Sequence, residues 1–557
     1  ELIALRFGNG RQGNLARILM AVFMLLRSVF SITYFVKTAG MFLSELYPGD
    51  ATEEMETVLS YVLVGLSLVY TVSSGLTGAI FTDVIQSFVI IGAFIAFAIV
   101  FFRESIPAAF TILLPSVDGG APKSYVRTSA EWLSMWPSAN EAVPDGTSYT
   151  KYNNVVVLAV SYIIKSILEG AGGNETGFIV QRFFACNSDK DAGKMSSLWM
   201  VLAALRWPFV ATVAIMGINY NMTAISPIED PERVLSAVIA NVIPTGLKGV
   251  IVAVLLGSAM GSYNAVTNGA AAYYVQDIFR PFIKPTANQR ELVFQGRLAS
   301  VVIVLLGAMF ARISQYGSVT ELWGWVNMSL GAGVLAPLLV RWVWWRLNGY
   351  GFCAGIAGGT LAAIIQGIWF PLMSEWCMFL VVTLVSCIAM FIVTPLTKQT
   401  DTFVLVEFFQ KCQPWGLWSF VYPLVGKELE HHTQSEMKRD LVSGNFAWIG
   451  QIAFYLGILT LAIPGESWYD VYLSFSVATV CAAGLLIVWY RHLQDKDGKD
   501  RAREEERDME RQLGVSPRGS LKRLDGDGAG EGESDSEGQG QGERASLLGA
   551  ETRSSLY

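Results

Sequence analysis

Between residues 14 and 490 the sequence carries twelve apolar runs, near 14–44, 57–78, 84–102, 153–178, 197–218, 249–279, 297–315, 321–345, 350–372, 377–396, 443–463 and 469–490. Their lengths match the roughly 20 residues that an α-helix needs to cross the hydrocarbon of a bilayer. Lipid offers no partner to a backbone N–H or C=O, so each run must satisfy its own groups as helix. The chain therefore reads as an all-α polytopic membrane protein. Charge agrees: only 16% of the 557 residues are charged, against about 25% in a soluble protein.

Loop charge sets the orientation, because short basic loops stay on the cytoplasmic side. Arg6, Arg11 and Arg17 precede or open the first run, whereas the next loop holds Glu45, Asp50, Glu53, Glu54 and Glu56 with no Lys or Arg. The first side reads as cytoplasmic, and alternation then brings Arg182/Lys190/Lys194, Arg280/Lys284/Arg290/Arg297, Arg341/Arg346 and Lys427/Lys438/Arg439 to the same side. The segment 103–151 is a long outer loop, a lid or an inert excursion, and 403–440 is an inner one able to lie along the membrane surface. Beyond residue 490, 495–512 is a charged stretch expected to be an exposed helix, and 526–542 is Gly/Glu/Ser/Gln-rich and expected to be disordered. The first residues include no initiator Met and no signal peptide, so the true start is expected to lie upstream.

Six scattered cysteines form no CxxC pair, and His431–His432 has no further ligand spacing around it. The sequence therefore carries neither a disulfide framework nor a metal site, and its spans lack the nucleophile–base set an enzyme requires. Polar residues within the apolar runs are the informative ones. Ser258, Gly261 and Ser262 stand at i, i+3 and i+4, on one helix face, where hydroxyls and exposed carbonyls would suit a monovalent cation. Asn264 and Asn268 lie on the same run, and taken alone the pattern is more simply a small-residue seam for helix packing.

In the fourth run Lys165, Glu169 and Glu175 put charge at a depth where it costs a few kcal/mol or more per group. Lys165 and Glu169 are four apart and can pair along one face. Gly170-Ala171-Gly172-Gly173-Asn174 follows and should break the helix, exposing half-helix ends of the kind with which transporters hold solute and ion. Arg27 lies inside the first run, and Trp323, Trp325, Asn327, Ser329, Gly331, Gly333 and Pro337 crowd the eighth. An interfacial aromatic belt explains the two tryptophans, while Asn327 and Ser329 are candidates to line a cavity. Asp83, with Gln86 three residues on, reads as the capping box of the third run, and Gln181-Arg182 as a basic end to the fourth.

These features fall into one order. Glu1-Leu2 with Arg6-Phe7-Gly8, Tyr70-Thr71 with Ser74-Gly75-Leu76, Thr82-Asp83 with Gln86, and Val180-Gln181-Arg182 are followed by Ser258 through Asn268, Gln276-Asp277-Ile278-Phe279, Gly331/Gly333/Pro337 and Trp345-Arg346 with Asn348-Gly349. Over roughly residues 1–370 the chain resembles the sodium/solute symporter family. The resemblance implies a LeuT-like core of two inverted five-helix repeats, with substrate and sodium near mid-membrane. It places the chain's start at the third core helix, without a counterpart of the first two. By that reading 1–372 is a partial core, 373–490 adds C-terminal spans, and 491–557 is a cytoplasmic tail. A fragment lacking the first core helix is expected not to transport by itself.

The resemblance assigns sodium to positions Ser258, Gly261 and Ser262, and Gly261 departs from the hydroxyl residue common there. Sugar carriers of the family resemble one another in a Tyr-Trp pair at the positions of Gly172-Gly173, which disfavours sugars here. The expected function is sodium-coupled symport of a small polar solute across the plasma (cell inner) membrane, an amino acid or other organic acid being the class that Lys165, Glu169 and Glu175 suit. Glu169, Gly172, Gly173, Asn174, Glu175, Asn264, Asn268 and Asn327 are the expected solute-side residues. The partners are the solute, sodium and the bilayer, with no cofactor beyond the coupling ion and no nucleic acid. Two alternatives stand beside this: proton coupling through Glu169 or Glu175, and a solute sensor signalling through the tail.

Overall fold

The computed structural model describes residues 2–488 apart from 48–51, 102–104, 115, 117–119, 133–142, 148, 174–182, 184–185, 187–188, 224–227, 229, 314–317, 372, 426 and 463–467. Asn174, Glu175, Gln181-Arg182 and both tail segments lie outside these residues, as do the side chains of His431 and His432. Two compact units divide the chain, Glu1–Leu485 and Leu486–Tyr557, and the helical packing belongs to the first.

Among the described residues twelve helices are long and apolar enough to span a membrane, and they coincide one for one with the twelve apolar runs. The chain is a multi-pass membrane protein. A short α1 (Leu2–Phe7) leads into α2 (Arg11–Glu45) and α3 (Glu53–Phe101). No proline interrupts 53–101, so helical backbone runs through both the second and third apolar runs. The Tyr70 and Thr82 hydroxyls nevertheless bond to each other. Twelve residues of straight helix would separate them by about 18 Å along the axis, so the axis turns between them. This corrects the capping-box reading: Asp83 does not open a helix, because the chain is already helical when it arrives there.

In the loop that follows, β1 (Ala109–Leu114) and β2 (Lys123–Thr128) form an antiparallel hairpin, pairing Ala109 with Thr128 and Leu114 with Lys123. Phe110 and Leu114 point inward, and Trp132 meets the Phe110 ring edge-on at 5.6 Å. The long loop thus carries a hairpin of its own. Then come α4 (Val155–Leu168), α5 (Asp189–Ala204), α6 (Arg206–Thr223), the short α7 (Val234–Asn241), α8 (Thr245–Tyr273) and α9 (Gln289–Ile313).

The eighth span is α10 (Val319–Gly324), a widened π-type stretch over Trp325–Gly331, and α11 (Ala332–Val343). Pro337 inside α11 lacks a donor. The widened stretch turns polar groups toward α12 (Gly349–Trp369): Trp325 Nε1 donates to Ala363 O at 3.0 Å and Ser329 Oγ to Gln366 Oε1 at 2.8 Å. Both residues are buried. The belt reading of Trp325 and the cavity reading of Ser329 are therefore corrected, and both serve helix packing. Gly333 and Gly359 bring α11 and α12 into backbone contact, since a Cβ on Gly333 would lie 2.7 Å from the Gly359 carbonyl carbon. Lipid tails are as apolar as side chains, so such close approach and internal hydrogen bonding hold membrane helices together.

Beyond α12, α13 (Glu375–Leu396) packs along it, and α14 (Thr402–Cys412) and α15 (Lys427–Ala462) precede the last span, Trp468–Val488. Arg6 ties the start of the chain to this end. It is fully buried, donates from Nε and Nη2 to the carbonyls of Arg341, Trp344, Trp345 and Leu347 at 2.9–3.1 Å, and lies over the rings of Phe7, Phe408 and Trp418.

Candidate functional site

A cavity of about 800 Å³ opens among the spans, lined from α2 by Arg27 and Tyr34, from α3 by Asp83 and Gln86, from α4 by Lys165, and from α8 by Ser258, Gly261 and Ser262. Its volume falls in the range of small-molecule sites. Glu169, Trp199, Arg206, Trp323 and Asn327 complete its polar and aromatic lining. Residues more than 200 positions apart in sequence thus meet in one space.

The stretch with Ser258 does two things at once. Gly257 and Gly261, four apart, let α3 close onto α8: a Cβ on Gly257 would stand 2.9 Å from Gln86 Nε2, and one on Gly261 2.8 Å from Asp83 Oδ1. One position further on each turn, Ser258 and Ser262 are open to the cavity. The packing seam and the cation face, alternatives in the sequence, are neighbouring stripes of one helix. Asp83 adds a carboxylate beside these hydroxyls, a harder anionic oxygen than either. Asn264 and Asn268 do not line the cavity; Asn264 is buried, and the Asn268 amide donates to its Oδ1 at 2.7 Å.

The fourth span breaks where its glycines are. After α4, 169–173 forms a widened turn in which Gly172 has φ +116°, a conformation L side chains rarely adopt. Lys165 and Glu169 pair as an i, i+4 ion bridge beside the break, and both line the cavity. Gly172 does not; it lies against the Trp342 indole of α11. Gly172 and Gly173 therefore shape the break. Asn327 lines the cavity, its amide donating to Trp323 O at 3.0 Å.

Four lining residues, Asp83, Tyr34, Trp323 and Arg206, are not legible as site residues from the sequence. Asp83 was placed at a cap because helix boundaries are invisible where apolar runs abut. Tyr34 of α2 and Trp323 of α10 form an aromatic pair, ring centroids 4.7 Å apart, that only packing assembles. Arg206 stands within the apolar run 197–218 and carried the same warning of intramembrane charge as Lys165.

At one end of the bundle a polar network joins the loops. The Glu232 carboxylate accepts from Ser318 Oγ at 2.5 Å and from the Val319 and Thr320 N–H groups at 3.0 and 2.8 Å, capping α10. Burial pushes Glu232 up, but hydrogen bonds from Ser318, Thr320 and Val319 outweigh it and leave the carboxyl below its usual value. Neighbouring Asp230 is raised, chiefly by burial. Arg233 pairs with Glu56 at 3.0 Å, and Lys151 with Glu321 at 2.8 Å.

A helical bundle of many spans, with broken or widened turns beside a polar cavity, is the architecture of a LeuT-like fold. The family model of the sodium:solute symporters matches residues 1–359, and the chain belongs to that family. It is 24% identical over 347 residues to a sodium/glucose cotransporter of Vibrio parahaemolyticus, covering 58% of this chain and 60% of that one. It is likewise 24% identical over 369 residues to the high-affinity proline transporter PutP of Bacillus subtilis (strain 168), covering 65% and 68%. The chain spans about half to two-thirds of the length of the curated relatives it matches. Its fold is similar to the substrate-bound, outward-open state of a Na+-coupled sialic acid symporter, with TM-score 0.51 and 18% identity over 72% of this chain and 77% of that one. These relatives are transporters, not enzymes.

Proposed function

We propose that the chain belongs to a secondary active transporter that couples sodium to the inward movement of a small polar solute by alternating access. The observation that carries this reading is the cavity itself, in which the cation face of α8 and the charged, broken fourth span meet. Ser258 and Ser262 hold sodium by hydroxyl and carbonyl oxygen, beside the Gly261 backbone, and Asp83 lowers the electrostatic cost of the ion there. Lys165, Glu169 and Asn327 face the solute, while Gly172 and Gly173 hold the break. Asn174 and Glu175 belong to the same segment, and Asn264 and Asn268 act behind the site through α8. The relatives, named for glucose and proline, and the neighbour, named for sialic acid, support a small polar cargo without fixing it.

We assign the core to 1–372, further spans to 373–490 and a cytoplasmic tail to 491–557, in a plasma (cell inner) membrane. Proton coupling through Glu169 is the second reading, favoured by the exposure of that carboxyl to the cavity. The test is uptake of labelled amino acids, organic acids, vitamins and sugars into vesicles holding the full protein, with and without an inward sodium gradient. Sodium stimulation that Ser262→Ala or Asp83→Asn weakens at least about tenfold, the scale of one lost charge-assisted contact, supports the assignment. Uptake driven by a pH gradient and indifferent to sodium overturns it in favour of Glu169.

A further inference from the structure

Arg206 is the charge that the cavity leaves unanswered. It sits in the middle of the 33-residue span Asp191–Thr223, where the helix is interrupted between α5 and α6. A guanidinium at that depth costs a few kcal/mol unless something pairs with it. Among the described residues Arg206 has no hydrogen-bonding or ion-pairing partner, although its charge reaches the Tyr34 hydroxyl. The side chain is exposed, and it lines both the central cavity and a smaller apolar one of about 180 Å³ that shares Ile90 and Ser258 with it.

The rest of the cavity does not neutralise it. Lys165 is matched by its ion pair with Glu169, and the remaining charged lining residues besides Arg206 are one cation, Arg27, and one carboxylate, Asp83. Among the described residues, three cations therefore line the cavity against two anions. An unpaired guanidinium in a space of this size, beside the Tyr34–Trp323 aromatic pair, is a receptor for a planar anion set on a less polar body: guanidinium presents parallel N–H donors that match a carboxylate.

We propose that Arg206 is the anion-reading residue of the solute site, and that the solute is an organic acid whose carboxylate meets Arg206 while its body rests on Tyr34 and Trp323. This deepens, and rests on, the reading of the cavity as the solute site. It also accounts for Arg206 lying near Ser258: with the carboxylate bound, the guanidinium's charge is cancelled and no longer opposes a cation on α8. Anion and sodium then favour each other's binding, as linkage requires.

The experiment is isothermal titration of the full chain, purified in nanodiscs, with acid and amide pairs that differ only in charge: propionate and propionamide, lactate and lactamide, nicotinate and nicotinamide, proline and prolinamide. The expected result is binding of at least one acid at least tenfold tighter than its amide. Arg206→Gln should then weaken the acid about 10- to 100-fold, the scale of a lost charge-assisted hydrogen bond, weaken the amide far less, and erase the preference. Arg206→Lys should recover part of it, losing the fork but keeping the charge. Amides that bind native protein as well as acids, no acid binding, or a preference that survives Arg206→Gln overturns the proposal. Repeating each titration in sodium and in potassium chloride separates the two readings. Acid preference indifferent to the cation refutes sodium coupling and keeps Arg206; sodium-dependent binding of neutral solutes alone does the reverse.

Discussion

Gly172→Ala should be among the most damaging single-methyl changes in the fourth span. The added Cβ has two separate penalties. At φ +116° an L residue leaves its allowed backbone region, costing about 1–2 kcal/mol. The methyl would also stand 2.6 Å from Trp342 Cδ1 and 3.0 Å from its Nε1, an overpacking that costs about 1–3 kcal/mol. Trp342 cannot simply swing away. Its ring packs on Phe408 at 5.6 Å, and its carbonyl accepts from Trp418 Nε1 at 2.8 Å. The sum is about 2–5 kcal/mol, read as a fall of several degrees in the melting temperature of purified protein.

A double-mutant cycle divides that sum. In a Trp342→Ala background the clash is gone, so Gly172→Ala should then show only the backbone part, about 1–2 kcal/mol. Gly170→Ala is the internal control, because it lies in the same turn with nothing within 4 Å of its Cβ. It should change stability by less than about 0.5 kcal/mol. If Gly172→Ala melts within a degree of the native protein, or costs as much without Trp342 as with it, the account of this break is wrong. A matching loss of uptake is expected, since the break positions the turn of Glu169 beside Lys165 in the cavity.

Arg6→Met should destabilise the protein by at least about 3 kcal/mol, because several buried carbonyls lose a charged donor at once; Arg6→Lys, lacking the planar fork, should recover little of it, and thermal melts of both variants check this. Glu232 gives a pH signature. Its carboxyl is lowered in the folded protein, so the stability it contributes is present above the unfolded carboxylate value, about 4.3, and is lost as pH falls through the lowered one. Melting temperature should drop below about pH 4, and Glu232→Gln should flatten that limb while costing about 1–2 kcal/mol at neutral pH; an unchanged acid limb would count against the capping role.

The sequence by itself determined the membrane class, the number of spans and their approximate bounds, because lipid forces each apolar run into helix whatever its neighbours do. It also located the break after Lys165, since glycine's backbone freedom is a local property, and the face carrying Ser258 and Ser262, since helical periodicity is local too. Packing decided the rest. Whether Trp325 and Ser329 met lipid, cavity or another helix depended on the widened turn that aims them at Ala363 and Gln366. Asp83 became a site residue only because Gly257 and Gly261 let α3 close onto α8. Arg206 is legible as charge within an apolar run, but that it has no partner among the described residues is a statement about every side chain around it. Such facts depend on distances between spans far apart in sequence, and only the tertiary structure supplies those.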